Sequence, residues 1–433
     1  MNPEELAYWY WLTDARGIGP IFSKRLLDEF ETPVAVFNAE KSEVVARTGI
    51  RNSLADNIER SKNDIGRYVR LAQNQLQVAE IVNGHILTCA DSPYAEIYRI
   101  HNVNRALPPV IHAIGNINYI NSRRFAVVGT RRPSDDAREK ACELAHNLAT
   151  EGLTIVSGLA LGIDGIAHKG AMEVGGKTIA VLGCGADIKY PSENATLYSS
   201  IIDRGLIVSE FPFGTRPTSE NLRKRNRTII SLTEAVVIAD CPLQSGAMIA
   251  ARFAAQQKKP IFTFCYRETG SNLGGEWLIS KHLADELKDS TAEGFFNALD
   301  SYQQTDTNID KVFSEIWPKK LRKSRSETKV AKFKKDKSGA SASQALTQDG
   351  RAHHSKTLQS TMALGDSAAE QDIADRTDKF FHLKPGDHVT HSTFGKGEIL
   401  NTIKNGDDYQ ITIRFSGKKI RTLSWQYANL TKL

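Results

Sequence analysis

Between Arg124 and about residue 264 the chain repeats one pattern: a short, largely apolar run, a cluster of small residues, then an amphipathic stretch. FAVVG at 125–129 is the first run. It is followed by Pro133-Ser134-Asp135-Asp136, a helix start with acids in its first turn. LTIVSG at 153–158, TIAVLG at 178–183, LIVSE at 206–210 and AVVIA at 235–239 continue the series, and PIFTF at 260–264 supplies a sixth run. Runs apolar on both faces suit strands of a sheet covered on both sides, and helices between them make the sheet parallel. The pattern predicts a doubly wound α/β domain over about residues 115–290.

Upstream, residues 4 to about 105 read as helical. Two glycines in Arg16-Gly17-Ile18-Gly19-Pro20 separate two helical patterns, the second carrying Ile21, Phe22, Arg25, Leu26 and Phe30 at turn spacing. Such a turn is either a plain helix–helix connection or a helix-hairpin-helix element whose backbone N–H groups meet a phosphate. Downstream, residues 318–378 lack periodicity: a basic first third precedes Ser, Ala, Gln, Thr and Asp, the composition of a disordered linker. From residue 383 short alternating strands with glycine turns (PGDHVTH, FGKGEIL, YQITIRF, KKIRTLSW) predict a small SH3- or Tudor-like β-barrel. The expected organisation is a helical amino-terminal domain (1–110, SAM- or helix-hairpin-helix-like), a Rossmann-like parallel-sheet domain (111–295), a largely disordered linker (296–379) and the barrel (380–433).

Composition narrows the function classes. The 433 residues are 40% hydrophobic and 8% aromatic, enough for a sizeable core, which excludes wholesale disorder and a disulfide-dense miniature. Five cysteines (Cys89, Cys142, Cys184, Cys241, Cys265) form no CxxC and no zinc-finger spacing, so they read as reduced core thiols. The amino terminus has acids where a signal peptide needs bases, and no apolar run approaches about 18 residues. A cytoplasmic protein without a membrane partner is expected. The net charge of +6 is local: residues 318–338 hold ten Lys or Arg against two acids, leaving the remainder slightly acidic.

In an open α/β sheet, ligands gather off the carboxyl ends of the strands where the topology reverses. Those ends read Gly129-Thr130-Arg131-Arg132, then Ser157-Gly158 through Gly162-Ile163-Asp164, Gly183-Cys184-Gly185, and Glu210-Phe211-Pro212-Phe213-Gly214. Small residues admit an anion to the backbone, and Arg131 and Arg132 add full charges. Arg223-Lys224-Arg225-Asn226-Arg227 places four more cations after the fourth strand, a track better suited to several phosphates than to one. GTRRPS is not a dinucleotide fingerprint, and Gly175-Gly176-Lys177-Thr178 leads into a strand, not a P-loop helix. No cofactor and no metal are called for. Asp164 and His168, four apart on one helix, are either an acid–base pair or a hydrogen-bonded helix start; no other catalytic constellation is present, and no enzyme is expected.

At these strand ends the sequence resembles the DNA-processing protein A (DprA/Smf) family. The matching blocks are FAVVGTR at 125–131, SGLALGIDGIAHKGAM at 157–172, GKTIAVLGCGADIKYPSEN at 176–194, IVSEFPFGTRPTSENLRKRNRTIISLTEAVVIAD at 207–240 and SGAMIAARFAAQQKKPIF at 245–262. The resemblance implies an extended Rossmann-like fold. It also implies single-stranded DNA binding, delivery of that DNA to a RecA-type recombinase during natural transformation, recombination or repair, homodimers, and no catalysed reaction. It implies that Arg131, Lys177, Arg225 and Arg227 contact phosphates and that Gly129, Gly158, Gly162, Asn226, Ser245 and Gly246 shape the pocket. Asp164, His168, Tyr190, Asn194 and Glu210 fall on motif positions that hold the strand-end loops. Leu161 stands where the family usually has Arg. The carboxyl-terminal segment, through Gly386-Asp387-His388-Val389, Phe394-Gly395-Lys396-Gly397 and Tyr427-Ala428-Asn429-Leu430, resembles the Tudor-like domain of UvrD/PcrA-type helicases, which implies a protein contact such as RNA polymerase. The competing class is a nucleotide sensor or a nucleoside-monophosphate phosphoribohydrolase using the same pocket, with Glu210 as its carboxylate.

Overall fold

The computed structural model describes residues 2–100, 107–266, 272–304, 307–317, 386–391, 395–405, 408–415, 419–424 and 430–432. The chain divides into two compact units, Met1–Glu327 and Thr328–Leu433. The basic and polar stretch 318–378 lies outside the described residues.

The first unit is built on a nine-stranded sheet. Its strands are β1 (Gly84–Thr88), β2 (Val110–Gly115), β3 (Arg124–Val128), β4 (Thr154–Ser157), β5 (Thr178–Leu182), β6 (Leu206–Ser209), β7 (Ala235–Ile238), β8 (Ile261–Thr263) and β9 (Asp285–Glu286). The spatial order is β1-β2-β6-β5-β4-β3-β7-β8-β9. From β6 to β9 every pairing is parallel, as the apolar runs require, whereas β1 and β2 add antiparallel at the other edge. Starting at β3 the chain winds out through β4, β5 and β6, then returns to the far side of β3 with β7. The reversal point is therefore the carboxyl end of β3.

Alternation along β3 shows why both faces are apolar. Phe125 and Val127 enter one core with the helices Asp135–Thr150 and Ile163–Glu173, while Ala126 and Val128 enter the opposite core. That second core includes the helices Ser219–Leu232 and Gly246–Gln256 and the amino-terminal helices, in which Leu6, Trp11 and Leu12 are fully buried.

Three sequence expectations change. Residues 84–88 are a strand, not helix: the preceding helix stops at Ile81, and Asn83 at φ 50° turns the chain into β1. Residues 110–115 are a strand that sequence reading passed over, because its central residue is His112; in the fold that side chain is fully buried and meets the Tyr10 hydroxyl at 2.8 Å. A linker starting at 296 would cut through the helix Ala292–Ser301, whose Phe295 packs edge-on against Phe125 at 5.1 Å and Phe262 at 5.5 Å. A further short helix, Ile309–Phe313, follows it. The Gly17–Gly19 turn is a helix–helix connection packed on the helix Asn52–Ser61: Asn57 donates to the Arg16 carbonyl at 2.9 Å, and a Cβ at Gly17 would press on Leu54.

The second unit is a five-stranded antiparallel sheet of β10 (His388–His391), β11 (Gly395–Asn405), β12 (Asp408–Phe415), β13 (Lys419–Ser424) and β14 (Leu430–Lys432), in the order β13-β12-β11-β10-β14. A register shift between Ile399 and Asn401 bends β11, and Val389, Ile399, Ile413 and Phe415 are buried. Among the described residues of the whole chain, no helix is long and apolar enough to cross a membrane.

Candidate nucleic-acid interface

Three strand-end segments meet where the topology reverses. After β3 the chain passes through Gly129, Thr130, Arg131 and Arg132 to Ser134, whose hydroxyl caps the next helix at Ala137 N–H, 3.3 Å away. A Cβ on Gly129 would stand 2.6 Å from Ile163 and 2.8 Å from the Asp240 carbonyl. Gly162, at φ 77°, lets the next loop close on the first, and the Ile163 N–H donates to the Thr130 carbonyl at 3.1 Å. The third segment, after β7, ends in the helix Gly246–Gln256, capped by the Ser245 hydroxyl at Met248 N–H and held by Asn226, which donates to the Gly246 carbonyl at 3.0 Å.

Between these segments and the helix Ser219–Leu232 lies an open cleft of about 570 Å³. It gathers Gly129, Thr130, Arg131, Asp164, Arg223, Arg225, Asn226, Ser245 and Gly246 of the sequence candidates. Its charged lining is three arginines and one carboxylate. The carboxylate is spoken for: Asp164 faces Arg225 at 3.5 Å and accepts the Gly158 N–H at 3.2 Å, with the Gly129 and Ala160 amides also directed at it. Burial pushes the Asp164 carboxyl up, and the Arg225 charge and these amides pull against that rise. Arg131 and Arg223 are exposed and form no ion pair with the described residues. The helix Gly246–Gln256 also opens onto the cleft with the positive end of its dipole.

The remaining candidates separate. Arg225, read as a phosphate contact, is only 6% exposed and donates to the carbonyls of Gly158 and Val181 and to the side chain of Asn226, so it forms the cleft floor. Gly158 and Tyr190 line a small crevice of about 30 Å³ beside the cleft, together with Leu161, Arg131 and Arg225. Asn194 donates to the carbonyls of Leu159 and Ala160 at 3.0 and 3.1 Å, holding the loop after β4, where Leu159 sits at φ 57°. Ser157 is buried, its hydroxyl donating to the Val127 carbonyl. Arg132 is exposed and is not among the residues lining the cleft, its N–H donating to the Thr130 hydroxyl at 3.3 Å.

Four residues singled out from the sequence lie elsewhere. Lys177 precedes β5, at the amino ends of the strands, with its ammonium 5.9 Å from the Tyr119 ring. The length of β5, about 16 Å, separates it from the cleft end of the sheet. Arg227 and Lys224 line a different cavity of about 650 Å³, against the amino-terminal helices. One helix thus divides the basic block: Arg223, Arg225 and Asn226 face the cleft, while residues 224 and 227 turn away. Glu210 also lines that second cavity, accepting from Arg227 at 2.7 Å and from the Thr228 hydroxyl at 3.1 Å.

Asp164 and His168 do not form an acid–base pair. His168 is fully buried with Nδ1 on the Thr178 hydroxyl at 2.7 Å, and burial, reinforced by Arg225, lowers its pKa to about 3. Among the described residues, no group of three or more His, Cys, Asp or Glu is placed to hold a metal. The cleft also contains Gln244 and Trp317, which sequence reading missed. Trp317 lies about 70 residues downstream of the other cleft residues, and only its position next to the basic stretch sets it apart.

Residues 85–298 match the family model of DNA recombination-mediator protein A, and residues 386–432 match the PcrA/UvrD tudor domain. The five-stranded second unit thus takes its place among Tudor-like folds. Protein Smf of Synechocystis is 33% identical over 268 residues, which span 61% of this chain and 65% of that protein. Protein Smf of Escherichia coli is 38% identical over 177 residues, 40% of this chain and 47% of that protein. The chain therefore spans roughly half to two thirds of the length of these relatives. The X-ray structure of DNA processing protein A from Streptococcus pneumoniae is similar with 25% identity and a TM-score of 0.56, covering 69% of this chain and 99% of that one.

Proposed function

We propose that this chain, whose residues 85–298 match the DNA recombination-mediator protein A (DprA/Smf) family, holds single-stranded DNA by its backbone in the cleft at the carboxyl end of β3. One observation supports the reading: two arginines without an ion pair among the described residues, Arg131 and Arg223, and the amino end of the helix Gly246–Gln256 converge on a cleft whose one carboxylate among the described residues is ion-paired with Arg225. An open, cation-lined surface of that kind suits a polyanion, and contacts from charged side chains and backbone amides read phosphate, not base identity. The recombination-mediator family name supports the further reading that the bound strand passes to a RecA-type recombinase; that the chain acts as a homodimer is proposed from the family resemblance alone. The Tudor-like unit supplies a separate protein contact, for which RNA polymerase is a candidate.

The proposed role is binding, without chemistry. A phosphoribohydrolase would need its carboxylate at the glycosidic bond, and Glu210 is instead ion-paired with Arg227 in the other cavity. Titrating the full chain with labelled single-stranded and duplex DNA at about 50 and about 200 mM salt tests the reading. Tighter binding of the single strand, weakened at the higher salt, is expected. Equal affinity for both forms, or base release from nucleoside monophosphates that Glu210→Gln abolishes, overturns it.

A further inference from the structure

Trp317 is an aromatic side chain lining the same cleft as the exposed cations Arg131 and Arg223. Its place is set by contacts on three sides. The Gln244 side chain donates to the Ile316 carbonyl at 2.9 Å, fastening the segment to the loop after β7. Arg252 and Gln256, both on the helix that opens into the cleft, donate to Asp310 at 2.8 and 2.9 Å. Lys281 pairs with Glu315 at 2.6 Å. Beneath the indole, the Phe313 ring lies nearly parallel, 11° between planes with centroids 6.0 Å apart, and Phe313 itself is buried edge-on against Trp277. The indole is thus backed on one side by a rigid aromatic stack, is only partly buried, and lines the same cleft as Arg131 and Arg223.

We infer that Trp317 is a stacking platform for a nucleobase of the strand held in the cleft. The inference rests on the single-stranded-DNA reading above and deepens it: Arg131 and Arg223 hold phosphates, and the indole takes the flat apolar face of a base that an unpaired strand leaves open. Every base has such a face, so the contact favours single strand over duplex without selecting a sequence. An arginine–phosphate contact releases counterions and a stacking contact does not, so the two separate in their salt dependence.

The test measures binding of a single-stranded oligonucleotide and of an abasic oligonucleotide of equal length to the full chain, wild type and variants. Trp317→Ala and Trp317→Leu are expected to weaken binding of the base-bearing strand about ten-fold with the salt slope unchanged, and Trp317→Phe to restore most of it. Neither variant should weaken binding of the abasic strand further. The quench of tryptophan fluorescence on adding the base-bearing strand should disappear in Trp317→Phe, a readout that needs no destabilising change. Wild-type affinity and quench retained in all three variants overturns the inference while leaving the single-strand reading intact. Equal losses on the abasic strand overturn it also, because they mark a structural role. Absence of single-strand binding by the wild type overturns both.

Discussion

Arg225 donates to the Gly158 carbonyl from a position that a Cβ on residue 158 would occupy. The same guanidinium reaches the Val181 carbonyl at 2.7 Å and faces Asp164 at 3.5 Å, with Arg225 6% and Asp164 4% exposed. One dry ion pair therefore ties the helix Ser219–Leu232 to the ends of β4 and β5 and forms the floor of the cleft.

Replacing either residue should destabilise the fold. Gly158→Ala is expected to cost about 1–3 kcal/mol through overpacking. Arg225→Ala is expected to cost about 3–5 kcal/mol, because Asp164 is left buried and unpaired. In the Arg225→Ala background the Gly158→Ala step should cost much less, since the colliding group is gone. Urea unfolding of the four proteins of this cycle checks it, and simple additivity contradicts the contact.

Phosphate contact should follow the cleft and not the basic motif. Arg131→Ala and Arg223→Ala are each expected to weaken single-strand binding and to flatten the log–log salt slope by about 0.7 per phosphate lost. Lys177→Ala and Arg227→Ala should leave that slope unchanged, since one lies at the opposite end of the sheet and the other in the second cavity. Fluorescence anisotropy across a salt series decides between the two patterns.

His112 and His168 are fully buried, and burial lowers each pKa from 6.5 to about 3. Below pH 6.5 the unfolded chain takes up protons that the native chain refuses, so stability is present above that pH and is lost as pH falls toward 3. Each histidine should remove about 1.4 kcal/mol per pH unit in that window. Unfolding free energies at pH 7, 6 and 5 (about one-unit steps) should therefore fall less steeply in His168→Asn than in the wild type. Parallel curves would mean that His168 takes up its proton in the native state.

The cleft is lined by residues 128 to 317, and the two compact units divide near residue 327. Truncation before Gly386 should therefore leave single-strand affinity unchanged in the same titration. A loss of affinity would transfer part of the binding to the Tudor-like unit.

The six central strands and their parallel pairing were legible in the sequence, because FAVV, TIVS, TIAVL, LIVS, AVVI and IFT carry apolar residues on both faces, with no charge and only Ser or Thr as polar residues, and a doubly covered sheet satisfies that. The glycines at 129, 158 and 162 marked the right strand ends for a local reason: backbone must pass close to backbone or side chain there. The edge strands β1 and β2 escaped notice, because GHILT and VIHAIG carry a histidine each and become strands only through pairing with β6 and with each other.

What the sequence alone determined is the central run of parallel strands and the small residues at their carboxyl ends, since both follow from local patterns, whereas the strand order and its reversal at β3 came from tertiary pairing. Only the tertiary structure, likewise, decided the part each cation takes. Arg223, Lys224, Arg225 and Arg227 are alike as letters, but a helix advances 100° per residue, so neighbours in sequence face different cavities. One is exposed in the cleft and another is buried beneath it, while Lys224 and Arg227 turn toward the amino-terminal helices, where Arg227 meets Glu210. Trp317 joins the cleft through the hydrogen bonds of Asp310 and Ile316 to the loop and helix after β7, contacts between segments about 50 to 70 residues apart that no local pattern encodes.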